Sequence, residues 1–156
     1  MSYANDMTPT VQMASRSDTG LASELRLSVM RLGRRLRNER EPDNPLSVAA
    51  ISALGVLFRE GECTVGKLAA HERVQPPSMT RTVNCLVDEG YAARRPHETD
   101  GRQVLVDLTD KGRETLLADR RRRDAWLAQR LRELTPDERA LLREVAPLLQ
   151  RLATTT

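Results

Sequence analysis

Apolar residues return every three or four positions in several separate segments of this chain. Near the N-terminus they form one helical stripe, with arginines on the opposite side. The stripe consists of Leu21, Leu25, Val29, Leu32 and Leu36, and the arginines include Arg26, Arg34 and Arg37. The spacing predicts a helix with one apolar face, which the proline-containing stretch at 38–45 ends.

Two further helices are predicted from capping residues as well as from spacing. Ser47 can cap a helix over residues 48–60, and Gly61 supplies its C-terminal stop. Thr64 can cap a short helix that ends near Glu72. The expected inner face of the first of these helices consists of Val48, Ile51, Leu54 and Phe58.

The helix with the clearest start follows at residues 76–89. Pro76 suits the first helical position, where its missing N–H would have no helical partner, and Gly90 supplies the stop. Its inner stripe consists of Met79, Val83 and Leu86. Gln75 occupies the N-cap, although glutamine is not a preferred capping residue. A glutamine at the N-cap favours a side-chain contact with a partner outside the helix. Alternatively, this is an ordinary solvated helix end.

Beyond this helix the pattern predicts two strands, Tyr91–Arg95 and Gln103–Leu108. The Asp100-Gly101 pair between them signals a hairpin turn. Thr109 can then cap a long helix that ends at about Arg132.

A last helix has a strong start signal. Thr135, Pro136 and Glu138 supply the N-cap, the first helical residue and the acid of a capping box. Its apolar stripe consists of Leu141, Val145, Leu148 and Leu152. Pro147 interrupts this stripe and should kink or split the helix.

The predicted fold is therefore mainly α-helical with one small β-hairpin. Residues 1–18 are polar and aperiodic and are expected to form a disordered arm. The remaining segments are an N-terminal helix with a linker at 19–45, a helix–hairpin unit at 46–109 and C-terminal helices at 110–156. The terminal stripes have no obvious partner inside the chain, as a helical dimer interface requires. Alternatively, the first and last helices pack on each other within one monomer.

Composition narrows the class of protein. The chain has 156 residues, a formal net charge of +3 and an isoelectric point near 9.3, which is compatible with nucleic acid. Aromatic residues make up 3%, too few for the stacking platforms of a single-strand binder. Nearly all basic residues are arginine, and codon bias in a GC-rich genome explains that count better than DNA binding does. The positions of the arginines, and not their number, therefore indicate a function.

The stretch from Cys63 to Gln103 contains the candidate chemistry. A short helix, a turn, a second helix and an Arg-containing hairpin suit an element that enters a DNA groove beside a flanking arm. The second helix offers side chains able to pair with bases or phosphates, namely Gln75, Pro77, Ser78, Thr80, Arg81 and Asn84. Its N-terminus is expected to attract phosphate through free N–H groups.

The hairpin candidates suit a minor groove or its flanking phosphates, and they are Arg94, Arg95, His97, Asp100, Arg102 and Gln103. Asp100 could orient Arg102 or Arg95. The four arginines and four acids of segment 75–103 sum to zero charge, so a protein-docking role is an alternative to DNA binding. The Arg120–Arg123 run is expected to be mostly solvated, with contact to the DNA backbone or interfacial salt bridges as the alternative.

Catalysis has little support in the sequence. His71 and His97 have no triad-like neighbours, and Cys63, Cys85 and His71 lack paired metal-ligand spacing. We expect a protein that is not an enzyme, without cofactor or metal. No signal peptide or membrane-length apolar run occurs, so a cytoplasmic protein without membrane contact is expected.

The chain resembles the MarR family of bacterial transcription regulators from about Leu46 to Leu117. LAAHERVQPPSMTRTVNCLVDEGYAAR is similar to the family's helix–turn–helix, with its T-R-x-V-x-x-L-x-x-x-G run. DGRQVLVDLTDKGRETL is similar to its wing, with the Asp-Gly-Arg tip and the L-T-x-x-G entry to the next helix. The terminal helices match its dimerisation parts by position and periodicity.

The resemblance implies a winged helix–turn–helix homodimer that binds a pseudo-palindromic double-stranded operator. Pro77, Ser78, Thr80, Arg81 and Asn84 would face the major groove. Arg102 would reach the minor groove, oriented by Asp100, while Arg94, Arg95 and His97 would hold the flanking backbone. The dimerisation residues would be Leu21, Leu25, Val29, Leu32, Leu141, Val145, Leu148 and Leu152.

Many members of the family release DNA when a small aromatic or lipophilic acid binds between the dimer helices and the DNA-binding lobe. Because of their positions on the first helix, Met30 and Arg34 are the candidate residues for such a pocket. The peroxide-sensing branch has a reactive cysteine in its first helix, and this chain has none there.

Overall fold

The computed structural model describes residues 17–39, 44–97, 99–100 and 103–154. Six helices and a three-stranded antiparallel sheet lie in these ranges. The helices are α1 (Asp18–Asn38), α2 (Val48–Glu60), α3 (Val65–Glu72), α4 (Pro76–Asp88), α5 (Asp110–Arg132) and α6 (Pro136–Thr154). The strands are β1 (Cys63–Thr64), β2 (Ala92–Pro96) and β3 (Val104–Leu108). The chain divides into two compact units, residues 1–39 and 40–156.

Helix α1 is the described part of the first unit. It begins at Asp18, three residues before the apolar stripe, because Ser17 caps it by accepting a hydrogen bond from the Gly20 N–H at 3.1 Å. No residue of α1 is buried. Residues 1–16, most of the predicted disordered arm, lie outside the described residues.

Helix α2 is the centre of the second unit. Packing against α3, α4, α5 and β3 buries nearly every residue from Ala50 to Leu57. The predicted inner face is correct for Ile51 and Leu54, but wrong for Val48, which is 46% exposed. Val48 is the first residue of the helix, where the surrounding elements no longer cover it.

The caps predicted from the sequence are confirmed. Ser47 accepts a hydrogen bond from the Ala50 N–H at 3.1 Å, and Thr64 accepts one from the Lys67 N–H at 3.3 Å. At the start of α6, Glu138 and Thr135 exchange hydrogen bonds in both directions, as a capping box requires. Pro147 lies inside α6, which continues to Thr154, so the helix is not split.

The hairpin forms within one residue of its predicted strand limits, with Ala92 opposite Leu108 and Pro96 opposite Val104. The sheet also has a strand that the sequence did not indicate. β1 pairs with β3 and places Cys63 opposite Val106. This pairing attaches the hairpin to the start of α3.

The Arg120–Arg123 run is less solvated than expected. Arg120 stacks 4.8 Å above the Phe58 ring, and Arg123 pairs at 2.9 Å with the carboxylate of Asp119, which is 1% exposed. The prediction of a mostly solvated run is therefore wrong for these two arginines. Arg120 meets Phe58 because α5 packs against α2, and Arg123 pairs with Asp119 one turn earlier in α5. Arg121 is exposed, whereas Arg122 is half-buried like Arg120 and Arg123.

Candidate nucleic-acid interface

One side of α4 is anchored in the core and the other is open to solvent. Met79, Val83 and Leu86 are each no more than 2% exposed, as the inner stripe predicted. The six predicted recognition residues all lie exposed on the rest of the helix or at its N-cap: Gln75, Pro77, Ser78, Thr80, Arg81 and Asn84. A helix held by a buried face presents its polar face in a fixed orientation.

The N-terminus of α4 has fewer free N–H groups than we expected. Its first two residues, Pro76 and Pro77, have no N–H, and the N–H groups of Ser78 and Met79 both donate to the Gln75 carbonyl. The expected backbone phosphate site is therefore reduced to the Gln75 N–H, for which no hydrogen-bond partner occurs among the described residues. The Gln75 side chain makes no cap hydrogen bond, so its amide is available.

Two threonines of α4 have their donors occupied. Thr80 donates to the Pro76 carbonyl at 2.9 Å, and Thr82 donates to the Ser78 carbonyl at 3.2 Å. The exposed Thr80 is left with oxygen lone pairs and a methyl group, which suit a base donor or a thymine methyl group.

The arginines near α4 differ in their surroundings. Arg81 is exposed, and no ion pair or hydrogen bond to its guanidinium is found within the described ranges. Arg94 on β2 donates to the Asn84 side-chain oxygen, which links the hairpin to the recognition helix. Arg95 pairs with Glu62, just before β1.

The loop of the hairpin is held by His97 and Gln103. His97 Nδ1 accepts hydrogen bonds from the backbone N–H groups of Thr99 and Asp100, both at 3.3 Å. Gln103 donates through its side chain to the Asp100 carboxylate at 2.9 Å, and its backbone N–H donates to the Asp100 carbonyl. Gly101 and Arg102 lie outside the described residues, so the predicted Arg102 position is not tested.

The zero charge sum of this segment conceals a separation of charge. Asp88 and Glu89 lie at the C-terminal end of α4, about 20 Å along the helix axis from Gln75. Glu62 pairs with Arg95 but leaves Arg81 unneutralised. The exposed N-terminal half of α4 therefore has local positive charge.

Most of the predicted dimerisation residues have exposed side chains in the single chain. The most exposed of them are Leu21, Val29, Leu32, Leu141, Leu148 and Leu152, at 44–68%, while Leu25 and Val145 are half-buried. No residue of α6 is buried. Met30 and Arg34, named for an effector pocket, are exposed on α1.

Several residues that shape this surface were not found from the sequence. Glu62 holds β2 through Arg95, and Lys111 donates from α5 to the Glu89 carbonyl at the end of α4. Each contact joins residues more than 20 positions apart, and local pattern analysis cannot detect such pairs. A cluster of three or more metal-binding side chains does not occur in the described part of the chain.

A core-anchored helix with an exposed polar face, attached to an arginine-bearing hairpin, defines the winged helix–turn–helix class of DNA-binding proteins. Residues 46–104 match the MarR family. The chain is 50% identical over 136 residues to an HTH-type transcriptional regulator of Mycobacterium leprae, covering 87% of this chain and 94% of the relative. It belongs to the MarR family of DNA-binding transcription regulators.

Solved structures agree with this assignment. The structure of a transcriptional regulator protein from Pseudomonas aeruginosa has a TM-score of 0.79 and 34% identity, with 95% of this chain and 99% of that chain covered. Wild-type MarR from Escherichia coli, in its apo form, has a TM-score of 0.69 and 26% identity, with 85% and 96% covered. Among the described helices, none has both the length and the apolar character needed to span a membrane.

Proposed function

We propose that the protein is a homodimeric repressor of transcription that binds a pseudo-palindromic operator in the cytoplasm and is released by a small-molecule effector. The observation that supports this most directly is the exposed Arg81 on the polar face of a helix whose other face is buried. The exposed leucines of α1 and α6 support the dimer, because solvent exposure of so many large apolar side chains favours a partner surface.

In this proposal α4 enters the major groove with Pro77, Ser78, Thr80, Arg81 and Asn84 toward the bases. Arg102 reaches the minor groove, with Asp100 orienting it. The flanking backbone is held by Arg94, Arg95 and His97. Arg94 is already turned toward α4 by its bond to Asn84, so the hairpin and the recognition helix would approach DNA as one surface.

Alanine substitution at Arg81 and at Arg102 tests this arrangement. Each should weaken operator binding by about 1–3 kcal/mol, the value of a good bidentate contact to a base. Footprinting should show two protected half-sites centred roughly 10 base pairs, or a multiple of that, apart. Arg143→Ala on α6 removes an exposed arginine away from α4 and should bind like the wild type. Wild-type affinity of both Arg81→Ala and Arg102→Ala would contradict the proposed contacts.

Salt titration separates DNA binding from a protein-docking role of the same unit. A dimer that grips phosphates should lose affinity steeply, with a log–log slope of about −0.9 for each neutralised phosphate. Absence of DNA binding at low salt would instead favour protein docking. The operator for these measurements can be obtained by selecting genomic fragments that bind the purified protein.

The effector is proposed to be a small aromatic or lipophilic acid. A cavity of about 220 Å³ in the second unit is lined in part by Tyr91, Asp119 and Arg122, which combine an aromatic ring with charged groups. Its volume is below the usual range for drug-sized ligands, so a single-ring compound is the appropriate size. Benzoate-type acids should reduce operator affinity, and Ala118→Phe, which fills the cavity, should abolish that response. An unchanged response in this variant would place the effector elsewhere, including the region of Met30 and Arg34.

A further inference from the structure

The recognition helix ends in a structure that fixes its last turn. The Gly90 N–H donates to the Val87 carbonyl at 3.0 Å, and the Tyr91 N–H donates to the Leu86 carbonyl at 2.8 Å. Gly90 has φ of +76°, in the left-handed region that favours glycine. Together these features form a Schellman motif. The carbonyls of residues 89, 90 and 91 follow the last turn of α4 and accept hydrogen bonds from outside that helix.

The start of α5 supplies donors to all three of these carbonyls. Lys111 Nζ donates to the Glu89 carbonyl, and the Thr109 hydroxyl donates to the Gly90 carbonyl at 2.7 Å. The Thr109 N–H donates to the Tyr91 carbonyl at 3.2 Å. The Thr109 hydroxyl also caps α5 by accepting from the Gly112 N–H at 3.1 Å. One short segment therefore begins α5 and holds the end of α4.

Lys111 is in a position that its own helix does not favour. It lies in the first turn of α5, where the helix dipole destabilises a cation. The end of α4 reverses this preference, because the C-terminal carbonyls of a helix attract positive charge. The ammonium group also lies 4.2 Å from the centroid of the Tyr91 ring, a cation–π distance. The contacts between α4 and α5 therefore account for a lysine at a position where α5 alone would not favour a cation.

We propose that Lys111 is a positioning residue for DNA recognition, which holds the recognition helix α4 against α5 by bridging the Glu89 carbonyl and the Tyr91 ring. The proposal rests on the role assigned to α4 under the proposed function. Lys111 itself does not contact DNA.

The test compares Lys111→Met and Lys111→Arg with Lys67→Met in the full chain. Lys67 is the other lysine, exposed on α3, so its variant loses the same charge without the bridge. Two quantities are measured: affinity for a duplex selected by the wild-type protein, over a range of salt concentrations, and hydrogen exchange at the amides of residues 89–91 without DNA.

Lys111→Met should bind on the order of 5-fold more weakly, because loss of one hydrogen bond and one cation–π contact lowers the population of α4 in its DNA-binding position. The salt slope should be unchanged, exchange at residues 89–91 should be faster, and Lys111→Arg should restore most of the affinity. Lys67→Met should leave that exchange unchanged.

Wild-type affinity or wild-type exchange in Lys111→Met would overturn the proposal. So would a loss of affinity with a slope smaller by about 0.9, because that change identifies a direct phosphate contact. If the wild-type protein selects no DNA, the proposed function fails, whereas the exchange comparison still decides whether Lys111 holds the end of α4.

Discussion

At the scale of single residues, the two cysteines have opposite surroundings. Cys63 is buried in β1, and this burial raises the pKa of its thiol, an effect that Lys67 partly offsets and Glu60 reinforces. Cys85 is exposed on α4. Because the thiolate is the reactive form, iodoacetamide at neutral pH should modify Cys85 much faster than Cys63. A time course by mass spectrometry checks this, with Cys85→Ser leaving only the slow reaction. Faster modification of Cys63 would show that β1 opens readily.

The capping box gives a pH dependence at Glu138. Hydrogen bonds from the backbone N–H and the hydroxyl of Thr135 lower the pKa of Glu138 below its ordinary value of 4.5. The folded state therefore binds this proton less tightly than the unfolded state. The stabilising contribution is complete above about pH 4.5 and is lost as the pH falls through the lowered pKa.

Comparison of the wild type with Glu138→Gln isolates this contribution. The free energy of unfolding of the two proteins should differ most near neutral pH, with the wild type more stable, and converge in acid. Denaturant titrations between pH 7 and pH 3 would measure the difference. A difference that does not vary with pH would mean that the carboxylate charge is not what stabilises the cap.

At the scale of elements, the approach of α5 to the end of α4 depends on Gly112. A Cβ atom there would lie 2.0 Å from the Tyr91 carbonyl oxygen, so one of the two segments would have to move. Gly112→Ala should therefore destabilise the fold by roughly 1–3 kcal/mol, as overpacking does. Gly66→Ala on α3 is the matched control, because its Cβ would meet only Thr64 Oγ1, at 3.9 Å.

Denaturant unfolding should show a loss of stability for Gly112→Ala and none for Gly66→Ala. Alanine is a better helix former than glycine, so Gly66→Ala should be neutral or slightly stabilising. If Gly112→Ala were as stable as the wild type, the contact between α5 and the Tyr91 carbonyl would be looser than the structure shows.

Elements with local signals were predictable from the sequence, and long-range ones were not. The caps at Ser47, Thr64 and Thr109 are short-range hydrogen bonds, and each helix limit was placed to within a few residues. Strand β1 has only two residues, too few for a periodicity, and exists because Cys63 meets Val106 across the chain. The bridge from Lys111 to Glu89 escapes detection for the same reason.

The recognition surface shows the same limit. Its exposed face followed from the spacing of Met79, Val83 and Leu86, because burial of one helix face determines which side is open. The backbone phosphate site is smaller than expected because Pro77 removes a second N–H, a consequence that the sequence did contain. The pairing of Arg94 with Asn84 depends on how the hairpin folds over α4 and could not be derived from spacing.

At the scale of the whole molecule, the exposed leucines of α6 make a prediction about assembly. Leu148 is 47% exposed in the single chain, so glutamate there can remain hydrated and the monomer fold should persist. In the proposed dimer the same side chain meets an apolar partner surface, where an unpaired carboxylate is strongly unfavourable. Leu148→Glu should therefore give a monomer by sedimentation velocity. Its operator affinity should fall by roughly 10²-fold or more, as when two linked contacts become one.

Gln150→Glu is the matched control for Leu148→Glu, because it adds the same charge about 200° around the helix, on the polar side of α6. It should sediment as the wild type does and bind the operator with similar affinity. Circular dichroism of both variants should match the wild type, which separates loss of assembly from loss of folding.

A dimeric Leu148→Glu protein with normal operator affinity would exclude this face of α6 from the interface. The two half-site contacts would then have to be joined through α1, where Leu21, Val29 and Leu32 are exposed.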